Sequence, residues 1–171
     1  MNRIIYVGMD VHKDTYSLCS FDSKQSYVFS ELTVKAETSS VLSYLKNVEK
    51  HFVNDDVLFV CGYEAGPTGF SLCRDLQKKD ISCVVMAPSS LATSPDAKKR
   101  KTDKIDARQL ALHLAHNSYK AVHVITPEME AIKELTRTRA SALKAQKRAK
   151  QNLLSFLQRN HVSMQYLFSF Q

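Results

Sequence analysis

The chain has 171 residues, 44% of them hydrophobic and 24% charged, proportions of a globular protein rather than a disordered segment. No apolar run approaches the roughly 18 residues that span a bilayer, and the opening run is broken at Asp10 too soon for a signal peptide, so a cytoplasmic protein is expected. The net charge of +7 is divided unevenly: residues 1–97 carry 9 Lys/Arg against 12 Asp/Glu, residues 98–171 carry 15 against 5, and after Glu134 there are seven bases and no acid. A basic half of this kind suits either a polyanionic partner, most often nucleic acid, or a solvated helix face.

Residues 3–9 form a short apolar run ending at Asp10, the pattern of a buried strand. Segments 15–21 and 26–34 are rich in Tyr, Phe, Val, Leu and Thr around the turn Asp22-Ser23-Lys24, and predict two strands of a hairpin. Thr38, Ser39 and Ser40 offer a helix cap, followed by Val41, Leu42, Leu45, Val48 and Phe52 at helical spacing, so an amphipathic helix is predicted over 40–53. Residues 57–62 predict a strand running into a Gly- and Pro-containing turn, 70–79 a helix, and 81–86 a last strand closed by Pro88. A basic loop fills 88–103, a helix is predicted over 103–117, and a second one from Pro127 to about Asn160 contains no further Gly or Pro. Three meandering strands followed by alternating helix and strand predict an α/β protein with a mixed five-stranded sheet flanked by helices.

Cys19, Cys61, Cys73 and Cys83 form no C-x-x-C pair and read as reduced, buried thiols. The acids are more informative. Asp10 ends the first strand, Glu64 follows the fourth, and Asp103 and Asp106 stand three residues apart at a helix start, on one helix face. Singly, each reads as readily as a turn or cap residue. Gathered together they would repel unless a cation neutralised them, and hard oxygen ligands suit Mg²⁺ or Mn²⁺.

Three segments carry a resemblance: Gly8-Met9-Asp10-Val11-His12-Lys13-Asp14, Tyr63-Glu64-Ala65-Gly66-Pro67-Thr68-Gly69 and Arg100-Lys101-Thr102-Asp103-Lys104-Ile105-Asp106-Ala107. In this order and spacing they resemble the three acidic blocks of the DEDD transposases of insertion sequences, the family that includes the Piv invertase. The resemblance implies an RNase H-like, RuvC-like fold over residues 1–120. It implies Asp10, Glu64, Asp103 and Asp106 as catalytic residues holding Mg²⁺ or Mn²⁺, and metal-dependent DNA cleavage and strand transfer in a bacterial or archaeal cell. It further implies a structured guide RNA encoded by the element, and a coiled-coil segment over 121–171. Family members also carry a second domain with a serine nucleophile, for which a chain ending at Gln171 has no room, so full strand exchange by this chain alone is not expected.

Lys98, Lys99, Arg100, Lys101, Lys104 and Arg108 beside the acids, with Arg137, Lys144, Lys147, Arg148 and Lys150 on the long helix, are the expected nucleic-acid contacts. In that helix Leu135, Arg139, Ala142, Gln146, Ala149, Leu153 and Phe156 follow in alternating four- and three-residue steps, the seam of a coiled coil between two subunits. His12 and Lys13 face a phosphate, the metal shell or solvent, and His113 and His116 read as a surface pair with no third ligand nearby. Two rival functions remain: a non-catalytic nucleic-acid-binding and dimerisation module, and an actin-like phosphotransferase, which would need a second glycine-rich phosphate loop that this sequence does not supply.

Overall fold

A computed structural model describes residues 2–53, 55–91 and 103–162; the side chains of Asn2 and of residues 103–105 are not among those described. The elements follow the expected order: β1 (Asn2–Val11), β2 (Thr15–Asp22), β3 (Tyr27–Lys35), α1 (Thr38–Glu49), β4 (Asp56–Glu64), α2 (Ser71–Gln77), β5 (Ser82–Met86), α3 (Asp103–Ala115) and α4 (Pro127–Arg159). The strands form one sheet in the order β3-β2-β1-β4-β5. β1 is central, antiparallel to β2 and parallel to β4, and β4 is parallel to β5. This is the RNase H-like arrangement, with the fourth strand beside the first.

Alternation along each strand divides the side chains between two layers. Ile5, Val7 and Met9 of β1 are fully buried on one face, with Cys61 and Tyr63 of β4, against Val41, Tyr44, Leu45 and Val48 of α1 and Leu72, Cys73 and Leu76 of α2. Each such aliphatic side chain contributes about 1.5–3 kcal/mol by leaving water. The other face packs Tyr6, Val60, Val84 and Met86 against Leu110 and Leu114 of α3. All four cysteines are buried and unpaired. Beyond α3, Val122 N donates to Val85 O (2.7 Å) and Ala87 N to Lys120 O (2.8 Å), so residues 120–122 cover the outer edge of β5.

Two boundaries of α1 differ from expectation. Its cap position is Glu37, with no side-chain cap. Thr38 Oγ1 donates instead toward Asp75 (3.5 Å) and Ser39 Oγ to Glu37 (3.2 Å). The helix also stops at Glu49 rather than reaching residue 53. Phe52 and the turn after it are drawn to Arg3, whose guanidinium lies 4.4 Å from the centre of the Phe52 ring and pairs with Asp55.

The same buried Arg3 donates through Nε (3.1 Å) and Nη2 (2.7 Å) to Asp22, which is wholly buried. Burial works against the Asp22 carboxylate, but Arg3 and the Lys24 N–H outweigh it and hold its pKa below the usual value. The chain divides into two compact units, Met1–Val124 and Ile125–Gln171. In the second, Thr126 Oγ1 caps α4 by accepting from Met129 N (3.3 Å), and Glu128 and Glu130 sit in the first turn, where the helix dipole favours acids. Among the described residues, no helix is long and apolar enough to cross a membrane.

A depressed carboxyl pKa stabilises the fold above its ordinary value of 3.8, and that contribution disappears as pH falls through the lower folded value. Asp22→Asn should therefore unfold more easily than wild type at pH 7 and show a flatter loss of stability below about pH 4. Parallel acid-unfolding curves for the two proteins would show that Asp22 is not the titrating group.

Candidate active site

The two central parallel strands carry the same short pattern, a glycine followed two residues later by an acid: Gly8-Met9-Asp10 in β1 and Gly62-Tyr63-Glu64 in β4. Their register sets Gly8 opposite Gly62 and Met9 opposite Tyr63. The next step brings Asp10 and Glu64 side by side at the strands' carboxyl ends. Neighbouring strands lie about 4.8 Å apart. Alternation puts both acids on the face that α3 covers, since Met9 and Tyr63 between them are buried on the other face.

The glycines determine how close α3 comes. A Cβ at Gly8 would stand 2.1 Å from the carbonyl oxygen of Ala107 and 2.3 Å from the amide nitrogen of Ala111. The helix backbone therefore rests directly on β1, and Ala107 and Ala111 are themselves buried. A Cβ at Gly62 would meet the Leu114 side chain at 2.8 Å. Just past the end of α3, the His116 ring packs on Phe21 at 6.2 Å between centroids, and Phe21 is the strand partner of Tyr6, earlier in β1 than Gly8. α3 thus runs back along β1, and its first turns, with Asp103 and Asp106, lead toward the end where Asp10 stands.

Asp10 and Glu64 share the wall of an open cavity of about 890 Å³ with His12, Lys13, Tyr16 and the turn Ala65–Thr68. His12 Nε2 lies 2.9 Å from Asp10 Oδ2, and the His12 backbone N–H donates to Thr15 O (3.1 Å) within the β1–β2 turn. Across the cavity, Ala65 N donates to Met86 O (2.8 Å) and the Tyr63 hydroxyl to Gly69 O (3.0 Å), fixing the turn after Glu64. Burial, with the Asp75 charge added, raises the Tyr16 pKa and keeps that hydroxyl protonated.

A transposase family model, that of the IS110-type DEDD transposases, matches residues 7–162. The chain belongs to this family. The transposase for insertion sequence element IS1533 of Leptospira borgpetersenii is 31% identical over 166 residues, which is 96% of this chain and 46% of that protein. A second relative, from Sinorhizobium fredii, is 30% identical over 156 residues, 91% of this chain and 39% of the relative. The chain therefore spans less than half the length of the curated transposases it matches. Among solved structures it is similar to T. thermophilus RuvC in complex with Holliday junction substrate, at 9% identity and TM-score 0.43 over 70% of this chain and 99% of that one. It is also similar to the large terminase nuclease from thermophilic phage G20c, at 15% identity and TM-score 0.38 over 68% of this chain and 56% of that one.

Of the four acids expected from the transposase resemblance, the cavity wall holds Asp10 and Glu64 and not Asp106. Asp106 is half-buried on α3, one residue before Ala107. Asp103 opens α3, and its side chain lies outside the described residues. Among the described residues, no three His, Cys, Asp or Glu side chains are gathered closely enough to hold an ion. The donor set is nevertheless of the kind a divalent cation takes: adjacent hard carboxylates at one sheet end, at least one of them half-exposed or more. Lys98, Lys99, Arg100 and Lys101 lie outside the described residues, as does the Lys104 side chain. Arg108 on α3 and Arg137, Lys144, Lys147, Arg148 and Lys150 on α4 are exposed. His113 bonds to Ser118 through Nδ1 (2.8 Å to Oγ) and His116 meets Phe21, so the pair serves local packing.

The repeated Gly-x-acid pattern is a signal in the sequence that goes unread until the two strands are seen side by side. It makes a graded expectation. Gly8→Ala places a methyl group against helix backbone, which cannot yield without moving α3, and should cost about 1–3 kcal/mol or more. Gly62→Ala meets only the flexible end of Leu114 and should cost less. Chemical denaturation of the two variants checks this, and equal losses would refute backbone contact at Gly8 as the tighter of the two.

Proposed function

We propose that this chain is the carboxylate-bearing part of a DNA transposase, with Asp10, Glu64, Asp103 and Asp106 as the residues that hold Mg²⁺ or Mn²⁺ for phosphodiester cleavage and strand transfer. The observation that carries the reading is the pairing of Asp10 and Glu64 on neighbouring strand ends, beneath a helix whose first turns bear two more acids. Bound divalent metal supplies activation of the attacking oxygen and stabilisation of the leaving one. The protein's own residues supply position: β1 and β4 set the spacing of two carboxylates, and α3 presents the others from the side. The α3 N-terminus, with its partial positive charge, favours acids in its first turn.

The substrate in this reading is DNA. Lys98, Lys99, Arg100, Lys101, Lys104 and Arg108 flank the acids in sequence, and the bases of α4 add further phosphate contacts. A structured RNA encoded by the element is proposed as the guide on the strength of the family resemblance alone. The 1–120 segment acts as the catalytic domain and the 121–171 segment as a dimerisation element through α4. Supporting the latter, Ile132, Leu135, Leu143, Leu153 and Phe156 are all more than half or half exposed, a costly display unless a second helix covers them.

Titration with Mn²⁺, read by electron paramagnetic resonance, tests the site. Wild type should bind, and Asp10→Ala and Glu64→Ala should each lose binding. Equal binding by wild type and Asp10→Ala would favour a non-catalytic nucleic-acid-binding module. Sedimentation tests the α4 contact: Leu153 is exposed in the single chain, so Leu153→Asp should convert a dimer to a monomer without unfolding it. The basic helices should also associate more tightly as salt rises, because their like charges are then screened. A monomer at low and high salt alike would end the dimer reading.

A further inference from the structure

We infer that His12 is a positioning residue for Asp10: its imidazole holds the Asp10 carboxylate in the orientation that metal binding requires. The inference rests on the proposed metal site and adds to it a residue that acts through the Asp10 carboxylate. Three observations carry it. The His12 Nε2 to Asp10 Oδ2 distance is 2.9 Å, a full hydrogen bond. With the ring proton on Nε2 the imidazole donates to the carboxylate, which fixes the carboxyl plane about χ2, a torsion that is otherwise broad. His12 is itself placed by backbone, since its N–H donates to Thr15 O at 3.1 Å in the turn joining β1 to β2.

Chain geometry explains why this position is suited to the task. Asp10 is paired with Ser17 and Val11 with Tyr16 at the last rungs of the β1–β2 ladder. The residue two beyond Asp10 is the first that lies free of the ladder yet returns on the same face. The Asp10 side chain is only 19% exposed, whereas that of His12 is 53% exposed. The carboxylate is thus confined, and the imidazole approaches it from the open side of the cavity that both line. A lysine there would bring a full charge to compete with the cation. An imidazole N–H donor orients the carboxylate, the arrangement by which outer partners tune metal-binding ligands elsewhere.

The test compares wild type, Asp10→Ala, His12→Ala and His12→Gln by Mn²⁺ titration, with the thermal unfolding midpoint measured on each. The amide nitrogen of Gln reaches nearly the position of imidazole Nε2 and donates the same bond. His12→Ala should weaken Mn²⁺ binding by about 10–100-fold with an unchanged midpoint, and His12→Gln should restore most of the affinity. A purely structural role would instead move the midpoint. If His12→Ala binds Mn²⁺ as wild type does, or if His12→Gln is as weak as His12→Ala, the positioning role is overturned while the metal site stands. If wild type and Asp10→Ala bind alike, the metal site itself fails and the inference with it.

Discussion

Backbone contact between α3 and β1 at Gly8 is the constraint on which the acidic end of this molecule depends. A helix normally packs on a sheet at about 10 Å, held off by side chains on both surfaces. Here the strand has no side chain at Gly8, and the helix opposes it with Ala107 and Ala111. Closer approach brings the α3 backbone at Ala107, the residue after Asp106, directly onto β1. With a bulkier residue at position 8, the strand acids would keep their mutual spacing, which the β ladder fixes, but α3 could not rest on β1 as it does. The ladder thus sets the spacing of Asp10 and Glu64, and the glycine sets the approach of α3.

The two ends of β1 show how the same fold treats buried acid in opposite ways. At the amino end, Asp22 is fully enclosed and its charge is met by the guanidinium of Arg3, which also reaches Asp55 and lies over Phe52. That cluster ties β1, β2 and the end of α1 together, and it has structural sense without any ligand. At the carboxyl end, Asp10 and Glu64 line an open cavity together, and the partners of Asp10 include the His12 imidazole. Like charges so placed raise the energy of the metal-free protein. The acid at the amino end is enclosed with its guanidinium, whereas the pair at the carboxyl end faces a cavity.

Much of the scaffold was legible in the sequence because its elements obey simple periods. β1, β4 and β5 are short apolar runs ended by turn residues, and α1 repeats its apolar residues every three or four positions. The ends of α1 were less so. Its cap and its last turn are decided by Asp75 and Arg3, residues far away in sequence, and no local pattern reports such tertiary claims on a boundary. The pairing of β1 with β4 also lay beyond periodicity, since nothing in either strand names its neighbour. It came from family resemblance, and the Gly-x-acid pattern common to both strands acquires its meaning only once they are adjacent. Asp10 and Glu64 could be singled out because each ends an apolar run. His12 could not be ranked, because a histidine in a turn looks the same whether it faces solvent or a carboxylate two residues away.

α4 presents the remaining problem of stability. It has 33 residues, and among those described only Leu157 is buried. Its composition favours helix, with Ala, Leu, Lys, Arg and Gln throughout and no Gly or Pro after the first turn. In proteins most helical stability comes from packing of an amphipathic face rather than from propensity. Its acids are confined to Glu128, Glu130 and Glu134 near the amino end, where the dipole favours them, and the ion pair of Arg137 with Glu134 at 3.9 Å is exposed and adds little. At 3.6 residues per turn, Lys133, Arg137, Lys144 and Arg148 fall on the face opposite Leu135, Ala142 and Leu153. Opposed faces of this kind ask for two different neighbours, an apolar one and a polyanionic one. A helix that met only the polyanion would leave its apolar stripe in water, and one that met only an apolar partner would bring uncompensated bases together. Were the apolar faces to close on each other, as proposed above, the basic faces would turn outward, and pairing and phosphate binding would not compete for one side of the helix.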